Sequence, residues 1–346
     1  MKTILLFLTI FSFAVKTPTE VPPQGIDADF YINLKSATTP QHWNFEYEDG
    51  GQWMACGTGL DVKHYAQDEV ATLVESFTVK HPSDSIRVRM ICNEQADAKL
   101  CAGTWGNPQI VLYPAIPIQD EKNIAFIGNS FTFFYASYFL LKQIARAQGH
   151  QIRMNCSLRG GYTLGKHLQT ERLPIVEAGS AYDIILLQDQ SQNAARYASD
   201  KKRQAAVQAD AQQLANRMRT GSPEVRIIYE CTWAYEDNKS EYGGFKSFSH
   251  FDKLLRKGSK AIVWKSTDID LLSPIGQAFE LARKQGINVY GPDKKHQSLE
   301  GSYLKACVNY LLIYGGSFDE TASLDCGLDN ATAKKLRMIA YRTCDR

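Results

Sequence analysis

The sequence predicts an α/β protein: a three-layer α/β/α sandwich built on a parallel sheet, preceded by a small β-rich domain. Three observations predict it. From residue 120 onward, short apolar runs alternate with stretches of helical spacing in βαβα order, the pattern of parallel strands held between two helical layers. Before residue 120 the apolar runs are short, alternating or aromatic, and turn residues break them. The charge also changes sign: residues 17–119 carry 13 acidic and 6 basic side chains, residues 120–346 carry 24 acidic and 31 basic ones. The change falls at Tyr113-Pro114-Ala115-Ile116-Pro117-Ile118-Gln119-Asp120, where two prolines mark a connection.

The 346 residues are 44% hydrophobic and 22% charged, with 12 Pro and 24 Gly, which excludes a disordered, collagen-like or coiled-coil chain. Lys and Arg number 39 against 37 Asp and Glu, a balance that speaks against nucleic acid as a partner. Met1-Lys2-Thr3 precedes an apolar stretch through Val15, with small residues at Ser12 and Ala14. This is the pattern of a secretory signal peptide, residues 1–14, cleaved near Ala14. The stretch is too short to span a bilayer, so the expectation is a secreted or periplasmic protein without stable membrane insertion. The alternative for the same residues is a buried N-terminal strand.

Export bears on the eight cysteines, Cys56, Cys92, Cys101, Cys156, Cys231, Cys307, Cys326 and Cys344. No Cys-x-x-Cys pair is present, which speaks against a zinc ribbon or a thioredoxin-type motif. An oxidising compartment admits disulfides, with roughly a hundred pairings open to eight cysteines. The local pairs Cys92–Cys101 and Cys326–Cys344 are expected, against the alternative that Cys156, Cys231 and Cys307 are buried thiols. Asn155, Asn238 and Asn330 each begin a glycosylation sequon, which matters only in a eukaryotic host.

In the first region, 17–119, strands are expected at 30–34, 43–47, 73–79, 86–92 and 109–113, forming a sandwich-like accessory module packed on the rest. Trp43, Trp53 and Trp105 read either as core or as platforms for sugar rings. In the second region, 120–346, strands are expected at 123–128, 152–158, 183–187, 225–231, 270–273 and 287–290. Helices are expected at 135–148, 163–178, 201–219, 276–285 and 302–314. Reactive groups in such sheets gather beyond the C-terminal ends of the strands.

The first of those ends carries Gly128-Asn129-Ser130, which sets a hydroxyl at the mouth of the sheet. A serine needs a base to become a nucleophile, and Asp293-Lys294-Lys295-His296 offers one after the last expected strand. Asp293 can receive one imidazole N–H and hold the tautomer while the other ring nitrogen of His296 faces Ser130. Gly160 and Gly161, after the second strand, let backbone N–H groups approach an oxyanion. Gln190 and Gln192, after the third, can donate to the same oxygen.

Together these residues resemble the SGNH/GDSL hydrolase superfamily over about residues 120–346. The resemblance implies a flavodoxin-like α/β/α fold with Ser130 as nucleophile, His296 as base and Asp293 as its partner. Gly160 or Gly161 matches the oxyanion-hole glycine. In that family the stretch from Asp293 to Ala306, with His296, Gly301 and Tyr303, closes the site in this way. Two departures stand out: Asn129 replaces the usual Asp before the nucleophile, and Gln192 is the gap-free match for the usual oxyanion Asn, with Gln190 its alternative.

The resemblance implies an exported serine esterase. Export, the aromatic-rich first region and the lack of a long apolar lid point to O-acetyl groups on carbohydrate as the substrate. A lipid or thioester acyl hydrolase is the enzymatic alternative, and a carbohydrate-binding protein with an inactive hydrolase fold is the alternative from another class. No cofactor or metal is called for: no His-Glu-x-x-His or EF-hand pattern occurs. Gly160 to His167 nearly matches a P-loop, but His167 replaces the metal-binding hydroxyl. His167 reads as a cleft residue or, more simply, a surface helix histidine. His42, His64, His81, His150 and His250 read as surface or satisfied polar residues, and Lys201-Lys202-Arg203 as a solvated helix start.

Overall fold

A computed structural model describes residues 9–19, 21–35, 41–56, 60–62, 70–92, 99–100, 108–113, 118–169, 181–237 and 244–345. The strands in chain order are β1 Thr9–Lys16, β2 Ile26–Lys35, β3 Gln41–Asp49, β4 Gln52–Ala55, β5 Leu60–Val62, β6 Val70–Val79, β7 Ser85–Cys92, β8 Lys99–Leu100, β9 Gln109–Leu112, β10 Asp120–Gly128, β11 His150–Arg159, β12 Ile184–Leu187, β13 Arg226–Glu230 and β14 Leu271–Ser273. The helices are α1 Ser130–Phe133, α2 Ser137–Ala147, α3 Leu164–His167, α4 Asn193–Ser199, α5 Lys201–Gly221, α6 Phe248–Lys265, α7 Ile275–Lys284, α8 Leu299–Tyr314 and α9 Asn330–Cys344.

The second region is the expected α/β/α sandwich. Its five parallel strands run in the order β14-β13-β12-β10-β11. Their apolar runs are buried on both faces, which is why they read as continuous rather than alternating. The chain leaves β10 in one direction to form β11, then crosses to the other side for β12, β13 and β14. Right-handed crossovers therefore place α2 on one face and α5 and α6 on the other. The reversal beside β10 makes its C-terminal end the switch point, where such sheets open a crevice.

The first region does not form a separate block. β6 pairs antiparallel with β11 at Leu158–Thr72 and Arg159–Ala71, and β2, β8 and β9 follow, so one nine-stranded sheet runs through both regions. The remaining strands form a second sheet, β1-β7-β3-β4 with β5 on β3. Between the two sheets Ile26, Phe30, Ile32 and Leu34 of β2 meet Trp43, Phe45, Val88 and Met90 in a core of their own. The alternate residues of β2 point the other way: Tyr31 joins the core of the second region, and Asp29 meets α2. Period-two alternation thus serves two cores from one strand. The joining prolines, Pro114 and Pro117, lie outside the described residues.

Several expectations change. Residues 287–290 are not a strand; the segment closes on itself through Ser298 N–H to Val289 O at 3.0 Å and Gly291 N–H to His296 O at 2.8 Å. A single bridge, Tyr290 to Gln297, remains. Helix α2 begins two residues later than spacing suggests, because Tyr135 and Ala136 adopt left-handed backbone angles. Of the helix expected at 163–178, α3 is the described part, and 170–180 lie outside the described residues. Helices α1, α4, α6 and α9 fall outside the expected set. In α6, Ser247 caps the first turn, and Phe251, Leu255 and Ile262 bury one face.

Cys326 and Cys344 are free thiols, so that local pair is not made. Cys92 is buried, and its expected partner Cys101 lies outside the described residues. Cys156, Cys231 and Cys307 are buried thiols, and burial pushes the Cys231 thiol up to about 11. Trp43 is wholly buried, Trp53 is 36% exposed beneath the Arg89 guanidinium, and Trp105 lies outside the described residues. Thr9–Lys16, covering the second half of the expected signal segment, pairs with β7 along eight residues. Among the described residues no helix is long and apolar enough to cross a membrane.

Candidate active site

β10 delivers Gly128, Asn129 and Ser130 to the switch point. A Cβ at Gly128 would sit 2.9 Å from both Gln188 Oε1 and Thr132 Oγ1, so a larger residue would push on two side chains that are hydrogen-bonded to each other. Asn129 caps α1, its carbonyl oxygen accepting the Phe131 N–H at 3.2 Å. Its amide nitrogen donates to Tyr162 O at 2.9 Å and Asp189 O at 3.2 Å. A carboxylate accepts only and could make neither of those bonds. The departure from Asp is therefore built into this site: Asn129 ties the loops after β11 and β12 to the serine turn.

Ser130 Oγ lies 2.7 Å from His296 Nε2, and His296 Nδ1 lies 2.5 Å from Asp293 Oδ2. Asp293 Oδ1 also accepts the backbone N–H groups of His296 at 2.9 Å and Lys295 at 3.0 Å. Burial works upward on the Asp293 pKa, but the His296 ring and the two backbone donors outweigh it and hold the carboxyl well below its ordinary value. The carboxylate at Nδ1 keeps the proton there and leaves Nε2 to accept from Ser130. The Phe134 ring stacks on the imidazole at 4.1 Å and Phe131 meets it edge-on at 5.2 Å, fixing the ring plane. The structure thus brings Ser130, His296 and Asp293 into one hydrogen-bonded chain.

The expected oxyanion residues are placed less directly. Gly160 and Gly161 form a turn closed by Tyr162 N–H to Arg159 O at 3.3 Å, with Gly161 at φ 68°. Asn129 binds that turn through Tyr162 O. Gln192 donates from its side chain to Tyr235 OH at 3.4 Å and from its backbone to Gln190 Oε1 at 2.8 Å. Gln190 donates to Ser191 Oγ at 3.3 Å. These amide bonds run within the loop and to Tyr235.

Sequence reasoning missed the supports behind the serine. Gln188 Oε1 accepts from Asn129 N–H at 3.0 Å and Thr132 Oγ1 at 3.1 Å. Lys305 Nζ, fully buried on α8, donates to Phe131 O at 3.1 Å, Thr132 Oγ1 at 3.0 Å and Glu230 Oε2 at 2.6 Å. Asn309 donates to the other Glu230 oxygen at 2.7 Å. A lysine inside the apolar run from Tyr303 to Leu311 was the available signal. Asp189 is buried too, gathering Leu164 N–H at 3.0 Å and Gln190 N–H at 2.7 Å. Burial pushes its carboxyl up to about 6 against those donors.

His167 is a correction. It is neither a surface nor a cleft residue but fully buried, with Nε2 at 2.9 Å from Gly128 O and Nδ1 at 3.1 Å from Ser157 Oγ. A carbonyl only accepts, so Nε2 carries the proton. Burial lowers its pKa to about 3. Of the other histidines, His150 lies 2.5 Å from Asp120 and stacks on Tyr314, while His64 lies outside the described residues.

No protein-family model matches the chain, and no curated protein matches it. Solved structures do. A DUF4886-family protein from Bacteroides uniformis is 22% identical with a TM-score of 0.56, over 64% of this chain and 94% of that one. An acetyl xylan esterase from Geobacillus stearothermophilus is 18% identical with a TM-score of 0.41, over 58% of this chain and 97% of its own. A GDSL-like lipase from Parabacteroides merdae is 16% identical with a TM-score of 0.40, over 58% and 99%. At these identities the likeness is one of fold alone.

Proposed function

We propose that the protein is an exported serine esterase that removes O-acetyl groups from carbohydrate. The observation that carries this reading is the Ser130–His296–Asp293 chain, with contacts of 2.7 and 2.5 Å, at the switch point of a parallel sheet. Ser130 Oγ attacks the ester carbonyl while His296 Nε2 takes its proton. The tetrahedral intermediate collapses to an acyl-serine as His296 returns the proton to the departing alcohol. Water then repeats the sequence, releasing acid and restoring Ser130.

The intermediate's oxygen is held by the Ser130 N–H, a Gly160 or Gly161 N–H, and the amide of Gln192 or Gln190. Each such donor is worth about 3 kcal/mol in the transition state. Asp293, ionised, holds the imidazole in the productive tautomer and stabilises the imidazolium. Export rests on residues 1–14; cleavage near Ala14 would take most of β1 from the edge of β7. N-terminal sequencing of the mature protein distinguishes a processed chain from one that keeps this strand.

The test is acetate release from acetylated plant and bacterial polysaccharides by the parent and by Ser130→Ala. Expected is a loss of about 10⁴-fold or more in the variant. If the parent cleaves only long-chain acyl esters, lipid replaces carbohydrate as the substrate class. If parent and variant behave alike in both assays, the nucleophile assignment is wrong and the carbohydrate-binding reading takes its place.

A further inference from the structure

Beside the imidazole lies a cavity of about 180 Å³, walled by Phe134 and Tyr135 on one side and by Pro292, Asp293, His296 and Gln297 on the other. The loops after β11 and β12, which carry the expected oxyanion donors, do not border it. In acyl transfer, donors and base stand on different sides of the reacting carbon, and the base hands its proton to the departing oxygen. A cavity on the base's side therefore lies where the leaving alcohol goes.

Three features define what that alcohol is. Tyr135 and Ala136 sit at φ 49° and 44°, a left-handed pair in residues that have a Cβ, and such strain collects at ligand sites. The result is that Phe134 covers the imidazole while Tyr135, 40% exposed, stands at the rim. Gln297 is fully buried, and its amide nitrogen donates to Phe134 O at 2.8 Å. That bond fixes the amide's orientation, since the reverse would set two oxygens together. It leaves Gln297 Oε1 a buried acceptor with no donor among the described residues, on a side chain that lines the cavity. Finally, the cavity is smaller than the roughly 300–1,000 Å³ clefts that take drug-sized ligands, and suits one ring rather than an acyl chain.

We propose that this cavity is the leaving-alcohol subsite and takes a sugar ring, with Tyr135 as its aromatic face and Gln297 Oε1 as acceptor for a ring hydroxyl. The proposal rests on the esterase reading and names the alcohol side of its substrate.

The test compares kcat/KM for ethyl acetate and for mono-acetylated methyl glycosides of glucose, xylose and galactose, which share the acyl group and differ in the alcohol. The parent is expected to prefer at least one glycoside. Tyr135→Ala should lower that preference tenfold or more, through KM, and Tyr135→Phe should keep it. A parent without preference, or a preference equal in Tyr135→Ala, overturns the subsite. Calorimetric binding of the deacetylated glycosides to Ser130→Ala separates the two readings. Binding weakened tenfold by adding Tyr135→Ala upholds the subsite even if no ester is hydrolysed. Ester hydrolysis with no glycoside bound leaves the esterase standing and removes the subsite.

Discussion

Lys142 with Asp29 and Lys305 with Glu230 are the same chemical pair in two places, each at 2.6 Å and each essentially without exposure. The first joins α2 to β2, across the seam between the two regions. Its carboxylate is held further by Ser76 at 2.6 Å and Tyr113 OH at 2.5 Å. The second joins α8 to the end of β13 and spends its remaining donors on Phe131 O and Thr132 Oγ1, directly behind Ser130. Burial draws both lysine pKa values down, and the partner carboxylates draw them back. What differs is the neighbour: strands and an aromatic ring at the seam, the Ser130 turn at the candidate site. Two buried lysine–carboxylate pairs therefore do different work, one joining regions and one holding the turn that carries Ser130.

The largest expected effect comes from breaking the seam. Lys142→Met leaves Asp29 buried without its cation and should cost about 3–5 kcal/mol in urea unfolding, most of it recovered when Asp29→Asn is added. A cost below about 1 kcal/mol would show that the seam does not depend on the pair. Lys305→Met should cost a similar amount and, unlike Lys142→Met, should also lower kcat per folded molecule by about tenfold or more. Equal kcat in the two variants would erase the distinction drawn between them.

His167 sharpens the contrast, because there burial is met by neutrality instead of pairing. Its folded pKa is about 3, and the unfolded chain's imidazole titrates near about 6.5. Between those values the unfolded state binds a proton that the folded state refuses, so stability falls as pH drops through this range. By pH 5 the loss should reach about 2 kcal/mol relative to pH 7. His167→Gln should show that much less acid sensitivity when unfolding midpoints are compared at the two pH values. The same slope in parent and variant would assign the acid limb to other groups.

The candidate site was legible where its geometry is local. Asp293 and His296 are three residues apart and bond through both ring and backbone, and their spacing combined with Gly128-Asn129-Ser130 at the first strand end pointed to them. Ser130 was visible because an apolar strand ends at a Gly two residues before it. Gln188, Lys305 and Glu230 were not, since their bonds join positions 56 to 174 residues apart. Residues 287–290 carry a strand-like pattern, but no neighbouring backbone pairs with them in a ladder, and β-propensity describes only a surface that could be paired.

By itself the sequence predicted the βαβα order, a parallel sheet with one strand more than forms, and Ser130, His296 and Asp293 as candidates, because periodicity and short spacings are properties of neighbours along the chain. The tertiary structure decided that β2 and β6 extend the parallel sheet, that His167 is buried and neutral, and that Asn129 bridges two loops. It also decided that a small cavity opens beside His296. Strand partnership, desolvation and cavity shape all depend on groups brought together from distant positions, and no local pattern encodes which ones will meet.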